Sequence, residues 1–272
     1  WANALGQKTD ASGYDFSGGS ASYDGTNAGV ILGVDFITDN EWRWGAAFAA
    51  QKGNIDSTGS VVKTSNEADA YSAYAYLAKR FGMFNVMGTL GYTRISSELE
   101  QTLPGSMQMG AHKMDADSDI ITAGVKAEMQ IPVGDKGAVV PYIGARAVTM
   151  LSADSTSKMG GQDAFKYDQD TATQFQFPIG VALQAHDKTD SGWVARGLFD
   201  VSVTPVAGDK EADIKVNAAG LNAVDKTSAT FADDVFGTVR MGLSAEKDNV
   251  MFGGQLGVTT GVTFGVNLRV KF

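Results

Sequence analysis

The chain has 272 residues, of which 43% are hydrophobic and 10% aromatic, and its formal net charge is -9. That apolar and aromatic content excludes a disordered chain, and the lack of cysteine excludes disulfide scaffolds and thiolate metal sites. No run reaches the roughly 18 apolar residues of a membrane helix, and no charged-then-apolar leader opens the chain. The acidic balance argues against nucleic acid as a partner.

Apolar and polar residues alternate along most of the chain, and this period of two indicates β-strands. In the last segment, Val262, Phe264 and Val266 alternate with Thr263 and Gly265. The pattern predicts twelve strands, near residues 1–9, 20–37, 41–51, 69–80, 83–95, 119–132, 139–151, 174–186, 193–204, 234–246, 250–258 and 262–272. The first and fourth alternate least clearly.

The predicted connections alternate in length. Short ones at 38–40, 80–82, 133–138, 187–192 and 247–249 are interleaved with long, mostly acidic ones at 10–19, 52–68, 96–118, 152–173 and 205–233; the last connection, 259–261, is tight. This order is typical of an outer-membrane β-barrel with antiparallel up-and-down strands. We therefore expect one all-β domain over 1–272, with both termini periplasmic and the long loops extracellular. A soluble β-sandwich or lipocalin-like barrel also alternates, but rarely sorts its loops by length.

If the apolar face meets lipid, the other face lines a lumen. Eleven charged residues are then predicted to line it: Asp35, Arg43, Lys126, Glu128, Arg146, Arg196, Asp200, Arg240, Glu246, Arg269 and Lys271. An arginine facing lipid at the bilayer midplane costs about 2–4 kcal/mol, so these charges cannot point outward. They either line water or pair and fill the barrel, although twelve strands enclose more space than the roughly eight whose interior side chains can fill.

Three segments resemble the β-domain of autotransporters, the translocator of type V secretion. Gly29–Asp35 followed by Trp42–Ala49 is similar to its second and third strands, and Pro141–Ala147 is similar to its seventh strand. The chain end, with Leu268, Val270 and Phe272, resembles the signal that the outer-membrane assembly machinery recognises. The resemblance covers essentially the whole chain, including strand number and loop order.

This resemblance implies a translocator that inserts into the outer membrane of a Gram-negative bacterium and helps an N-terminal passenger to reach the cell surface through a hydrated pore. The implied partners are outer-membrane lipid and lipopolysaccharide, the barrel assembly machinery, and a covalently linked or cleaved passenger; we expect a monomer. Relatives carry a helix upstream of the first strand, whereas here Trp1 already begins the first predicted strand. Some relatives cut the linker with acidic lumen residues; Asp35 and Glu128 are candidates, but pairing with Arg43 or Lys126 is the simpler interpretation.

Other functions stay open at this point. A diffusion porin for small anionic solutes fits the basic lumen, and a surface adhesin would use the long loops. Outer-membrane phospholipases also have twelve strands, but the only histidines are His112 and His186, and no serine lies at a recognisable spacing. We therefore expect neither an enzyme nor a bound cofactor or metal ion.

Overall fold

The computed structural model of the chain describes residues 1–16, 19–58, 63–102, 111–218, 224–230, 233–259 and 262–270. These ranges contain eighteen β-segments: β1 (Ala2–Phe16), β2 (Gly19–Ile37), β3 (Trp42–Thr58), β4 (Lys63–Phe81), β5 (Phe84–Thr102), β6 (Ala111–Met129), β7 (Ile131–Val133), β8 (Gly137–Met150), β9 (Ala153–Met159), β10 (Gln162–Gln169), β11 (Ala172–Gln176), β12 (Ile179–Lys188), β13 (Val194–Gly208), β14 (Glu211–Ala218), β15 (Val224–Thr230), β16 (Val235–Lys247), β17 (Val250–Val258) and β18 (Val262–Val270). No helix in the described ranges is long and apolar enough to cross a membrane.

The eighteen segments combine into twelve strands, because short breaks divide some strands into segments that keep the same neighbours. β6 pairs with both β8 and β9, and β8 pairs with both β11 and β12. In the same way β14 continues β13, β16 continues β15, and β7 continues β6. All pairings are antiparallel, and β1 pairs with β2 on one side and with β18 on the other. The predicted twelve-stranded closed barrel is therefore confirmed.

One end of the barrel holds the short connections. The turn after β4 needs only two residues, with Gly82 at φ 61°, a left-handed conformation that glycine adopts without strain. The first and last described strands also meet at this end, where Ala2 pairs with Leu268 of β18 and with Leu32 of β2. We call it the short-turn end and the opposite one the far end.

The prediction of five long loops is wrong for most of the residues concerned. β5 continues to Thr102 and β6 begins at Ala111, while β9, β10, β14 and β15 lie wholly within predicted loops. These segments were missed because their charges alternate with few large apolar residues, yet the period of two persists: Ile95 and Leu99 alternate with Arg94 and Glu98. The backbone therefore stays paired well beyond the predicted strand ends.

The outward face near the short-turn end is apolar all round the ring. Its side chains are widely exposed, among them Val34 at 59%, Leu90 at 58% and Leu243 at 76%. On β5 this apolar belt runs from Phe84 to Tyr92, which is about 27 Å along the strand. With the strands tilted by about 40° from the barrel axis, the belt is roughly 20 Å high. That height matches the apolar band of about 25 Å that outer-membrane barrels present to lipid.

Aromatic rings border the belt, as in known membrane barrels. Phe36 lies 4.7 Å from Trp44, and Trp193 lies edge-on to Phe252 at 5.6 Å, both near the short-turn end. Tyr92 marks the opposite border on β5. Beyond it, β5 rises a further ten residues, about 26 Å along the barrel axis. We call this part of the barrel the extension.

Candidate functional site: the inner wall

The face opposite the apolar belt carries the predicted lumen charges that the structure describes. They are Asp35, Arg43, Lys126, Glu128, Arg146, Arg196, Asp200, Arg240, Glu246 and Arg269; Lys271 lies outside the described residues. Strand register brings them together, since Arg240 lies directly opposite Asp200 and Arg146 directly opposite Gln176. In each case the neighbouring residues along the strand belong to the opposite, lipid-side face.

Asp35 is the most heavily paired of these carboxylates. Arg43 donates from Nε to Asp35 Oδ2 at 2.7 Å, and Arg269 donates from Nη2 to Asp35 Oδ1 at 2.9 Å. Asp35 and Arg43 come from the adjacent strands β2 and β3, whereas Arg269 reaches from β18 across β1. The Asp35 side chain is only 11% exposed. One carboxylate thus connects β2 and β3 with the last described strand, β18, across β1.

Aromatic side chains stack against glycines beside this cluster. The Trp1 indole Nε1 donates to the Tyr76 hydroxyl at 3.4 Å, and the Trp1 ring covers Gly33. A Cβ on Gly45 would lie 2.4 Å from the Tyr76 hydroxyl, so the absence of a side chain at Gly45 makes room for that ring. The rings therefore lie flat along the inner wall.

A second cluster lies farther from the short-turn end. Tyr142 donates from its hydroxyl to Asp200 Oδ1 at 2.9 Å, and Arg240 Nη2 lies 3.5 Å from both carboxylate oxygens. Asp200 is 4% exposed, so an unpaired charge there would be costly. Tyr142 occupies space left open by Gly180, where a Cβ would lie 2.5 Å from its ring.

Lys126 connects the Tyr142 ring to a third carboxylate. Its ammonium lies 2.9 Å from Glu128 Oε2 and 4.2 Å from the centre of the Tyr142 ring. Glu128 also accepts a hydrogen bond from Asn85 Nδ2 at 3.1 Å. The expected pairings of Asp35 with Arg43 and of Glu128 with Lys126 are therefore both present.

The remaining basic side chains also have partners. Arg146 donates to the Gln176 side-chain oxygen from two nitrogens, the Nε contact measuring 3.0 Å. Arg196 forms an ion pair with Glu246 near the short-turn end. All four carboxylates named here therefore carry a cationic partner.

Several residues of these clusters were missed from the sequence: Trp1, Tyr76, Asn85, Tyr142 and Gln176. Charge was the selection criterion, so uncharged partners were not considered. A usable signal existed in β4, where Tyr74 and Tyr76 have the opposite parity to Tyr71. Each of the two inward rings lies opposite a glycine on a neighbouring strand: Tyr74 opposite Gly91 of β5 and Tyr76 opposite Gly45 of β3.

Part of the enclosed space is an open cavity of about 820 Å³. It is lined by polar, aromatic and aliphatic side chains from both sides of the β1 seam, including Arg43, Tyr76, Asn85, Ile31 and Met87. Polar groups of this kind interact favourably with water, and the cavity has room for many water molecules.

The two histidines do not form a catalytic arrangement with their neighbours. His186 and Asp187 are adjacent in β12, so their side chains lie on opposite faces of the sheet. Asp187 instead pairs with Lys136 at 2.8 Å, and that ammonium lowers the pKa of the Asp187 carboxyl. His112 packs edge-on against Phe165 with ring centres 5.8 Å apart.

No group of three or more histidine or acidic side chains able to hold a metal ion occurs in the described ranges. The chemistry of the wall is therefore that of paired charges, amides and phenols. A closed ring with an apolar exterior belt and a polar interior defines an outer-membrane-type β-barrel.

Comparison with known proteins identifies the family. The family model of the autotransporter β-domain matches residues 1–268 of the sequence. The chain therefore belongs to this family and is an outer-membrane translocator barrel. The fold is similar to the β domain of the Bordetella autotransporter BrkA (TM-score 0.63, 10% identity, covering 100% of this chain and 98% of that one). It is also similar to the translocator domain of NalP from Neisseria meningitidis (TM-score 0.67, 11% identity, covering 100% and 87%). No curated protein matches in sequence.

Membership supports the coarser expectations directly: the outer membrane of a Gram-negative bacterium as the location, and an attached N-terminal passenger as a partner.

Proposed function

We propose that the inner wall of this barrel lines the hydrated route by which the passenger reaches the cell surface, with residues 1–272 acting as one translocator domain. The observation that carries the proposal is the pairing of the wall charges. Asp35, Glu128, Asp200 and Glu246 each have a basic partner. A polypeptide in transit would meet hydrogen-bonding groups and no unpaired carboxylate among these four, while Arg146 is held by the neutral amide of Gln176; such a wall offers contacts without a deep binding well.

The orientation follows from the same proposal. The short-turn end, with Trp1 and Val270, faces the periplasm, and the extension faces the exterior, where the passenger emerges. The outer face of the extension is charged, with Lys113 paired to Glu100 at 3.0 Å and Lys52 to Glu67 at 3.3 Å. Such a surface suits contact with water and lipopolysaccharide head groups rather than hydrocarbon.

Assembly would use the C-terminal strand. Leu268 and Val270 lie on the lipid face, 47% and 39% exposed, and are available to the assembly machinery; Phe272 lies outside the described residues. Phe272→Ala should slow assembly in cells while leaving an already folded barrel nearly unchanged, because the residue acts in recognition. Unaltered outer-membrane levels of this variant would contradict the assignment.

The native chain lacks cysteine, so a single introduced thiol can test the route. In Thr122→Cys the thiol lies on the inner face, and in Val125→Cys it lies on the lipid face of the same strand. After reaction with a bulky maleimide, the first variant should show reduced conductance in planar bilayers and reduced surface display of a reporter fused upstream of Trp1. The second should retain both.

Equal effects of the two labels would contradict a route along the inner wall. A diffusion porin makes a different prediction: conductance that saturates with small anions and is blocked in Thr122→Cys, with reporter display unchanged. We propose no catalytic role for the domain, and hydrolysis of lipid or linker by the purified barrel would contradict this.

A further inference from the structure

The inner face of the extension has the opposite character to the inner face at the belt. On β5, β6, β10 and β14 several inward positions beyond the belt carry apolar side chains, interleaved with polar ones such as Ser97 and His112. The main apolar ones are Ile95, Leu99, Met114, Phe165, Ile214 and Val216, which we call the apolar wall. The segments are neighbours in the ring, with β9 between β6 and β10: Phe165 lies opposite Ala218 of β14, and Met114 opposite Ser157 of β9.

The apolar wall is not packed as a core. Its six side chains are neither fully buried nor widely exposed, whereas the outward residues between them on β5 and β6 are exposed. An ordinary core residue is almost wholly removed from water. The half-buried state of this wall therefore leaves apolar area available to a further molecule.

Lipid is a poor candidate for that molecule. The outer face at the same height is polar and ionic, since Arg94 pairs with Asp117 at 2.5 Å and Lys215 with Asp170 at 3.2 Å. Charged surfaces of this kind do not lie in hydrocarbon, so the extension stands above the bilayer. The occupant must reach the wall from the aqueous lumen or the exterior.

The opposite side of the extension is mostly polar. Asn27 Nδ2 donates to Gln51 Oε1 at 3.2 Å on β2 and β3, where Ile55 is the large inward apolar side chain. The vestibule between the two sides is thus amphipathic in cross-section. An extended polypeptide with alternating apolar and polar side chains presents the same asymmetry.

Strand addition does not explain such binding, because β5, β6, β9, β10 and β14 each pair on both sides. Recognition would rest on side chains alone, which suits many sequences and favours rapid release. The vestibule is also continuous with the inner wall below it, so a chain that leaves the lumen passes the apolar wall before it reaches open water.

We propose that the apolar wall binds apolar side chains of the exported polypeptide as it emerges, and shields them before the passenger folds. This inference rests on the proposed export route and names the chemistry of the partner at its exit: an unfolded segment with alternating apolar residues. The wall would slow aggregation of the emerging chain and favour its folding at the barrel mouth.

The test uses the full chain in lipid vesicles with one added cysteine carrying an environment-sensitive fluorophore. Leu99→Cys places the label in the apolar wall, and Glu98→Cys places it on the outer face one residue away. The probe is a twelve-residue peptide of alternating Leu and Thr, and the control peptide has Ser in place of Leu. We expect a saturable blue shift for Leu99→Cys with the Leu peptide, and no shift for Glu98→Cys or for the Ser peptide.

Two further variants in the Leu99→Cys background locate the binding. Phe165→Ser and Ile214→Ser should each weaken peptide affinity about three- to tenfold, as expected for the loss of one half-buried apolar side chain. Glu100→Ser, on the outer face, should leave the affinity unchanged. Circular dichroism and heat-modified gel mobility verify that each variant is folded.

Several results would overturn the inference. They are an equal response to both peptides, an equal response from both labels, a shift produced by lipopolysaccharide without peptide, and a shift that depends only on barrel concentration. The export proposal is judged separately by reporter display. If the native barrel displays the reporter but binds no peptide, only the vestibule inference fails; if it binds peptide but displays nothing, only the export route fails.

Discussion

The belt and the extension are built from the same strands, yet the outer face changes from apolar to charged, and the inner face gains apolar side chains among its polar ones. On β5, the outward residues change from Phe84 and Leu90 in the belt to Glu98 in the extension, while the inward residues change from Asn85 to Leu99. Backbone pairing is continuous through the change. The comparison shows that strand pairing fixes which residues share a face, whereas the surroundings decide which face is apolar.

The largest expected difference between the two regions comes from one charge placed at two heights on the outer face of β6. Val125→Arg puts a guanidinium in the belt and should lower the free energy of unfolding by about 2–4 kcal/mol. Asp115→Arg, on the same face of the extension, should have a far smaller effect because water reaches it. Urea unfolding in lipid vesicles measures both.

Thr122→Arg is the inner-face control for this pair. It should be tolerated, since the lumen can solvate the charge. Equal destabilisation by Val125→Arg and Thr122→Arg would show that the inner and outer faces are wrongly assigned.

A second comparison removes the charge from one carboxylate in each region. Asp35→Asn leaves Arg43 and Arg269 without their shared anion at a site that is 11% exposed, and should cost about 1.5–3 kcal/mol. Asp117→Asn removes an exposed ion pair with Arg94 and should change stability much less. Chemical denaturation at neutral pH measures both; a larger loss for Asp117→Asn would refute the greater importance of the inner pairs.

A third comparison tests the glycines that accommodate inner aromatic rings. Gly45→Ala forces its new methyl group against the Tyr76 hydroxyl and the Val34 carbonyl, both 2.4 Å from the Cβ position, and should cost roughly 1–3 kcal/mol. In Gly254→Ala the nearest atom to the new Cβ is 3.6 Å away, so this variant serves as the matched control. Similar unfolding midpoints for the two variants would contradict close packing of the Tyr76 ring.

The smallest effect concerns pH. Hydrogen bonds from Ser96 and Arg94 lower the pKa of the Asp117 carboxyl, so this group stabilises the fold above its unfolded-state pKa of about 4. That contribution is lost as the pH falls through the lower folded-state value. The difference in unfolding midpoint between the native barrel and Asp117→Asn should therefore shrink between about pH 5 and pH 2. A difference in midpoint that grows on acidification would contradict the predicted direction of the pKa shift.

The sequence predicts the belt well because hydrocarbon demands a strict pattern. In β18, Val262 to Val270 alternate without interruption, and the strand begins at the predicted residue, Val262. The sequence pattern predicts loops for the extension because its outward residues are charged and its inward ones are mixed in size, so neither face has the continuous apolar pattern of a lipid-facing strand.

The charged residues of the inner wall could be selected by parity, but most of their partners could not. Arg269 and Asp35 are separated by 234 residues, and their contact depends on how β18 closes onto β1. Tyr142 and Asp200 likewise meet only because β12 lies between their strands. Register across non-consecutive strands is a property of the whole ring and is not written in any local pattern.

The bond between Asp35 and Arg269 also has a consequence for the order of events in biogenesis. Because Asp35 lies on β2 and Arg269 on β18, this bond forms only when β18 has closed onto β1. A truncated product would retain an open edge and an anionic group without its full complement of cations. Closing the ring and neutralising this mostly buried carboxylate are therefore the same event, so the bond stabilises the closed cylinder and not the open sheet.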